Sequence, residues 1–288
     1  YLAYNKVKYA YRDGSAWHIQ TVDSLEEDIG GTSSIALDAA GHPHIAYAYD
    51  QIYYAYHDGS QWRIQPVEEF GDGDFVDLSL ALDNADHPHI SYTYYENEDI
   101  PSLKYARWTG SAWDIQTADS AGGVGWDNSL ALDASGQPHI SYHDVDNGDL
   151  KYAYHDGSTW HIQTVDSAGD VGWYTSLALD GAGYPHISYY DFDNRDLKYA
   201  HHDGSTWHIQ TVDSAQNVGW NTSLALDASG TPHISYYDDV NKYLIYVYQD
   251  GSTWRTKIVD SDDPWAVSYT HLRAHETPEH LVCRLLLE

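Results

Sequence analysis

From Ser176 to Ser214 the chain alternates apolar or aromatic positions with small or polar ones in four short runs. Ser176–Asp180 alternates small residues with Leu, and His186–Asp191 adds β-branched and aromatic residues. Leu197–His202 and Trp207–Val212 complete the set. A period of two is the signature of strands with one face packed. The runs are separated by turn formers: Gly181–Tyr184, the polar Phe192–Asp196, and the tight-turn pair Asp203-Gly204. No helical period competes with them. The stretch therefore predicts four antiparallel strands in a meander.

The pattern recurs. Ser129–Ser167 and Ser223–Ser261 are near copies, and looser copies begin near Ser34 and Ser79. Residues 1–24 hold only the second half of a copy, with runs at Val7–Arg12 and Trp17–Val22. The Trp that opens the fourth run recurs at Trp17, Trp62, Trp113, Trp160, Trp207 and Trp254, at steps of 45, 51, 47, 47 and 47 residues. Four short strands per period of this length is one propeller blade, whereas solenoid turns are shorter, about 20–30 residues. The expected fold is an all-β propeller of four-stranded antiparallel blades, five complete and a sixth incomplete. Residues 1–266 form one repeat domain, read as a fragment that begins in mid-blade and lacks its true N-terminus. Its half-blade is expected to be completed by strands from sequence after Trp265, because closure removes exposed sheet edges.

The repeat stops near Val267, where VSYTHLRAHETPEHLVCRLLLE follows. This segment resembles the translation of a sequencing-library adapter. Residues 267–288 are accordingly set aside as a non-native tail, together with His271, His275, His280 and Cys283. Deleting them is expected to leave the melting temperature nearly unchanged; a large fall would make them part of the fold.

Composition narrows the partners. The chain carries 14 Lys and Arg against 44 Asp and Glu, a formal charge of −30. Such acidity repels phosphate backbones and excludes nucleic acid as a natural partner. It suits a salty or extracellular setting. No apolar run reaches the ~20 residues of a membrane span. Cys283 is the only cysteine, so no internal disulfide is available. The 27 Tyr and 11 Trp exceed what a core of this size needs, which predicts aromatic side chains on the surface.

Strand order decides which loops share a face. In a meander, the loop leading into strand one lies beside the loop joining strands two and three. That face collects Trp126, Trp173 and Trp220 from the GW element, with the acidic loops Asp144–Asp149, Asp191–Asp196 and Asp238–Asn241. An indole can cover the apolar side of a pyranose while Asp144, Asp191 and Asp238 take its hydroxyls. The competing reading makes each Trp a wedge between blades, since repeats pack on their neighbours. The acidic loops offer oxygen ligands of the kind calcium uses, without the spacing of the twelve-residue calcium loop. No cofactor is otherwise expected. His44, His89, His139, His186 and His233 each follow a Pro, one per repeat, and read as structural hydrogen-bond formers.

The turn HDGSTW, at His155–Trp160 and His202–Trp207, resembles the Asp-box or BNR repeat of sialidase-type propellers, with Asp and Gly adjacent rather than separated. Over the whole period, SLALD…PHISYYD…DLKYA…DGSTW is similar to propeller modules of secreted or surface-attached bacterial and archaeal proteins. That resemblance implies an extracellular or cell-surface location. The expected function is non-enzymatic binding of a glycan or surface polysaccharide through repeated, individually weak pockets. Two alternatives stand beside it: a sialidase-like glycoside hydrolase or lyase, and a structural or protein-binding propeller of a larger surface protein. Such hydrolases resemble each other in using three Arg on a carboxylate; here Arg12 and Arg107 fall on strand three, Arg63 and Arg255 on strand four and Arg195 in a loop, none on an innermost strand.

Overall fold

The structure, a computed structural model, describes residues 6–24, 32–48, 51–69, 77–95 and 100–261. Every regular element among them is a strand. β1 (Lys6–Arg12) and β2 (Trp17–Ser24) form a two-stranded sheet I. Sheet II holds β3 (Ser33–Leu37), β4 (Pro43–Ala48), β5 (Gln51–His57) and β6 (Trp62–Glu69). Sheet III holds β7 (Leu78–Leu82), β8 (Pro88–Tyr95), β9 (Pro101–Trp108) and β10 (Trp113–Asp119). Sheet IV holds β11 (Val124–Leu132), β12 (Pro138–Asp144), β13 (Asp149–His155) and β14 (Trp160–Asp166). Sheet V holds β15 (Val171–Leu179), β16 (Pro185–Asp191), β17 (Asp196–His202) and β18 (Trp207–Asp213). Sheet VI holds β19 (Val218–Leu226), β20 (Pro232–Asp238), β21 (Tyr243–Asp250) and β22 (Thr253–Asp260). The tail 267–288, and any closure of sheet I by residues after Trp265, lie outside the described residues.

The expected strands are present, with one correction. In sheets IV, V and VI strand one begins at Val124, Val171 and Val218, so the GW element belongs to the strand and not to the loop before it. Sequence alternation misses this start because the strand is bulged twice. In sheet V, Val171 faces Asp191, Trp173 faces Tyr190 and Ser176 faces Ser188, so the register shifts on both sides of Trp173. Gly172 and Tyr174 take positive φ at these two bulges, +98° and +53°. A bulge breaks the period of two and re-aims the side chain between the breaks.

Each sheet packs on the next through repeated bonds. On strand one, Ser34, Ser79, Ser129 and Ser176 each accept the backbone N–H of a Leu on the following strand one, at 3.0–3.1 Å. On the outer strand, Trp62, Trp160, Trp207 and Trp254 donate Nε1–H to Gln20, Gln116, Gln163 and Gln210 of the preceding sheet. Between these seams, Tyr47, Tyr142 and Tyr189 donate to Asp23, Asp119 and Asp166 of the preceding sheet at 2.6–2.7 Å. Tyr92 and Tyr236 do the same toward Glu68 and Asp213. Much of the Tyr among the described residues is thus internal, including the five that bridge sheets. A buried phenol fills volume between two apolar sheet faces and still finds an acceptor.

The five repeated His are structural. The ring Nδ1 of His44, His89, His139, His186 and His233 bonds the hydroxyl of Tyr54, Tyr105, Tyr152, Tyr199 and Tyr246 on strand three. Each Nε2 sits 3.6–3.9 Å from an Asp carboxylate at the turn before strand two. Those Asp, such as Asp180, accept two turn N–H groups at 2.8 Å.

Candidate functional site

The loops expected to share a face do so. The loop into strand one bonds the loop between strands two and three of its own sheet: Val145 N–H to Gly123 O, Phe192 N–H to Asp170 O and Asp239 N–H to Asn217 O. The first residue of strand one bonds that loop of the sheet before: Val171 N–H to Gly148 O and Val218 N–H to Arg195 O. The loops of neighbouring sheets thus meet on this face at the sheet IV–V and V–VI seams.

The GW glycine makes this approach possible. A Cβ on Gly172 would lie 2.8 Å from Leu150 Cα of the preceding sheet, and one on Gly219 would lie 2.9 Å from Leu197 Cα. The backbone before the indole is thus pressed against its neighbour at these two seams. Trp126, Trp173 and Trp220 are each half-buried. None of the three is fully buried between the sheets.

Trp220 is the most fully framed. Its centroid lies 5.5 Å from that of Tyr174 and 5.6 Å from that of Tyr190, both on sheet V. Asn217 Oδ1 accepts Trp220 Nε1–H at 3.0 Å and the Tyr190 hydroxyl at 2.6 Å. Asn217 Nδ2 donates to Asp239 at 2.8 Å, so the amide locks three side chains at once. Phe192, 53% exposed, rests edge-on against Tyr190. At the sheet IV–V seam the same places hold Trp173, Asp170 and His143. Trp173 Nε1 donates to Asp170 Oδ1 at 2.7 Å, and its ring lies 4.3 Å from that of His143. Burial lowers the pKa of His143, against the pull of Asp170. At the sheet III–IV seam Gly123 replaces the Asp or Asn three residues before the Trp, and Trp126 meets Tyr95 edge-on at 6.3 Å.

The acidic residues nominated beside the indoles are committed elsewhere. Asp144, Asp191 and Asp238 are 0%, 2% and 3% exposed. Asp144 accepts the Asn147 amide at 3.0–3.1 Å and lies 3.0 Å from Lys151 Nζ. Burial would raise its pKa, but the Asn147 and Lys151 contacts outweigh that and hold it below the carboxylate norm. Asp191 accepts both the N–H and the amide of Asn194 at 2.9 Å, and Asp238 is held likewise by Asn241. These three carboxylates tie their loops rather than open onto the groove. Among the described residues no group of three or more His, Cys, Asp or Glu is arranged to hold a metal ion. The polar groups beside the indoles are instead Asp170 and Asn217, with Arg195 held at the sheet V–VI seam by its carbonyl. The fixed offset in the SAGDVGW and SAQNVGW segments was the only sequence signal for Asp170 and Asn217.

The arginines sit as their strands require. Arg63, Arg107 and Arg255 lie on outer strands and pair with Asp58, Asp114 and Asp250 at 2.8, 2.9 and 3.3 Å. No helix long and apolar enough to cross a membrane is present among the described residues.

No family model matches the chain, and no curated protein matches it significantly. Solved structures do. The Aleuria aurantia lectin in complex with α-methyl-L-fucoside superposes with a TM-score of 0.59 at 14% identity, over 91% of this chain and 89% of the lectin. The SapL1 lectin in complex with α-methyl fucoside gives 0.55 at 15% identity, over 80% and 81%. The Hadza microbial sialidase Hz136 gives 0.56 at 14% identity, over 80% of this chain and 58% of its own. The shared architecture is the β-propeller, and the repeated sheets described above are its blades.

Proposed function

We propose that this propeller is a non-enzymatic, extracellular carbohydrate-binding protein whose sugar seats are the seam grooves at Trp126, Trp173 and Trp220. One observation carries the reading. At the sheet V–VI seam Asn217 locks the Trp220 and Tyr190 rings at their edges, Tyr174 packs beside them, and Trp220 stays half-buried. A rigid, half-open aromatic shelf bordered by amide, carboxylate and guanidinium groups suits the apolar face and hydroxyls of a pyranose. The propeller likeness to two lectins supports this reading, although a sialidase shares the same architecture. The arginines paired on outer strands favour binding over hydrolysis. A single shallow groove gives affinity of about millimolar, or about −4 kcal/mol. Several grooves on one rigid face raise avidity for polymeric glycans. No cofactor has a role in this reading.

The test is a glycan array followed by titration calorimetry on the best ligand. Phe192→Ala removes a side chain that is already 53% exposed, so it serves as the variant that spares the core. It is expected to weaken binding several-fold with an unchanged melting temperature. Trp220→Ala should abolish binding at its groove, with a modest stability loss because its ring is half-buried. If the intact protein binds no glycan on the array, the reading fails.

A further inference from the structure

The loop between strands two and three ends, in sheets IV, V and VI, on a residue with left-handed backbone: Gly148 at φ +69°, Arg195 at +62° and Lys242 at +62°. Glycine takes this conformation freely, whereas an L side chain there carries strain. Strain kept at one place in a loop calls for a reason in function. Lys242 has a local partner, Asp239 Oδ1 at 2.7 Å. Arg195 has none: among the described residues its side chain makes no ion pair or hydrogen bond, and it is exposed. Arg12, also exposed, likewise makes none, but it lies on β1, away from the indoles.

The carboxylates nearest in sequence are turned away. Asp193 accepts the Asp170 N–H at 3.1 Å and so serves the sheet IV–V seam. Asp191 is tied to Asn194. Asp239, across the groove, is taken by Lys242 and Asn217. The Arg195 carbonyl accepts the Val218 N–H at 3.0 Å, which fixes the residue at the mouth of the Trp220 groove. Its charge reaches the ring cluster: burial raises the Tyr190 pKa, and Arg195 opposes that rise.

We infer that the sheet V–VI groove takes an acidic sugar, with the ring on the Trp220–Tyr190 shelf and its carboxylate or sulfate on the Arg195 guanidinium. This rests on the glycan-binding reading above and names its ligand class. A guanidinium offers a planar pair of N–H donors that match a carboxylate or sulfate. The sheet IV–V groove, with Asp170 and Gly148 in the corresponding places, lacks such a cation and takes neutral sugars.

The experiment uses an array of sialylated, uronate-containing and sulfated glycans, each printed beside its carboxyl-reduced or desulfated counterpart. The intact protein should prefer the acidic members. Arg195→Gly installs the residue that already occupies this place in sheet IV, so the fold should be kept or slightly stabilised. It should lower binding of the acidic members by roughly 10- to 100-fold, the range for one charged hydrogen-bonded contact, and leave the neutral members alone. Arg195→Lys keeps the charge without the fork and should fall in between. Equal binding of acidic and neutral members, or an unchanged preference in Arg195→Gly, overturns the acidic-sugar assignment while leaving glycan binding in place. Absence of binding to every member overturns glycan binding itself, and this assignment with it.

Discussion

Acidification from neutral pH to about pH 4 should unfold the protein, because its buried imidazoles must stay neutral to remain where they are. Burial lowers the pKa of His89 and His186 to about 4 from an ordinary value of 6.5. Burial also lowers His44, His139 and His233, and His143 and His201 move the same way. A group whose folded pKa is depressed leaves the unfolded chain holding more protons between the two pKa values. Stability is therefore full above the unfolded value of 6.5 and falls as pH drops toward 4. His89 and His186 alone each cost about 3 kcal/mol once the pH is below both values. Two such losses are comparable with the ~5–15 kcal/mol that holds a typical domain together.

Some carboxyls oppose this trend. Burial raises Asp77 and Asp127, which lie together on the strand-one seam, and Asp149 and Asp196 are raised as well. They gain stability as they protonate, but they are outnumbered by the seven imidazoles. Thermal melts from pH 7 to pH 4 measure the balance. A melting temperature that stays level across this window would show that the His–Tyr pairs tolerate charge. Asp77→Asn combined with Asp127→Asn should make the fall steeper.

Gly172→Ala should destabilise the fold by about 2–3 kcal/mol, through overpacking and a conformation that alanine resists. The added Cβ would sit 2.8 Å from the Leu150 Cα, a backbone atom that cannot swing aside, at a φ of +98°. Gly181→Ala is the matched control, since nothing lies within 4 Å of its added Cβ and it has no positive φ. That replacement should be neutral or stabilise by a few tenths of a kcal/mol. Chemical denaturation of both variants separates the two cases. Similar stability for both would mean that the seam can yield at Gly172.

The strands were readable because their cause is local. Alternation in His186–Asp191 and the Asp203-Gly204 turn dictate β structure whatever surrounds them, and repetition of the pattern announces stacked sheets. The repeated His could be assigned to the scaffold on the same ground, since equivalent residues on separate repeats do not converge. The site was less readable. Asp191 and Trp173 look equally available in sequence, yet the carboxylate is 2% exposed and bound to its own loop, while the indole is half open. What decides between them is the pair of bulges at Gly172 and Tyr174, which no alternation reveals because they are the breaks in alternation. The sequence by itself determined the strand pattern, the repeat and the acidity, all consequences of neighbouring residues. Which aromatic side chains stay half-buried and which carboxylates are consumed were decided only when adjacent sheets met, because packing across a seam joins residues some 47 positions apart.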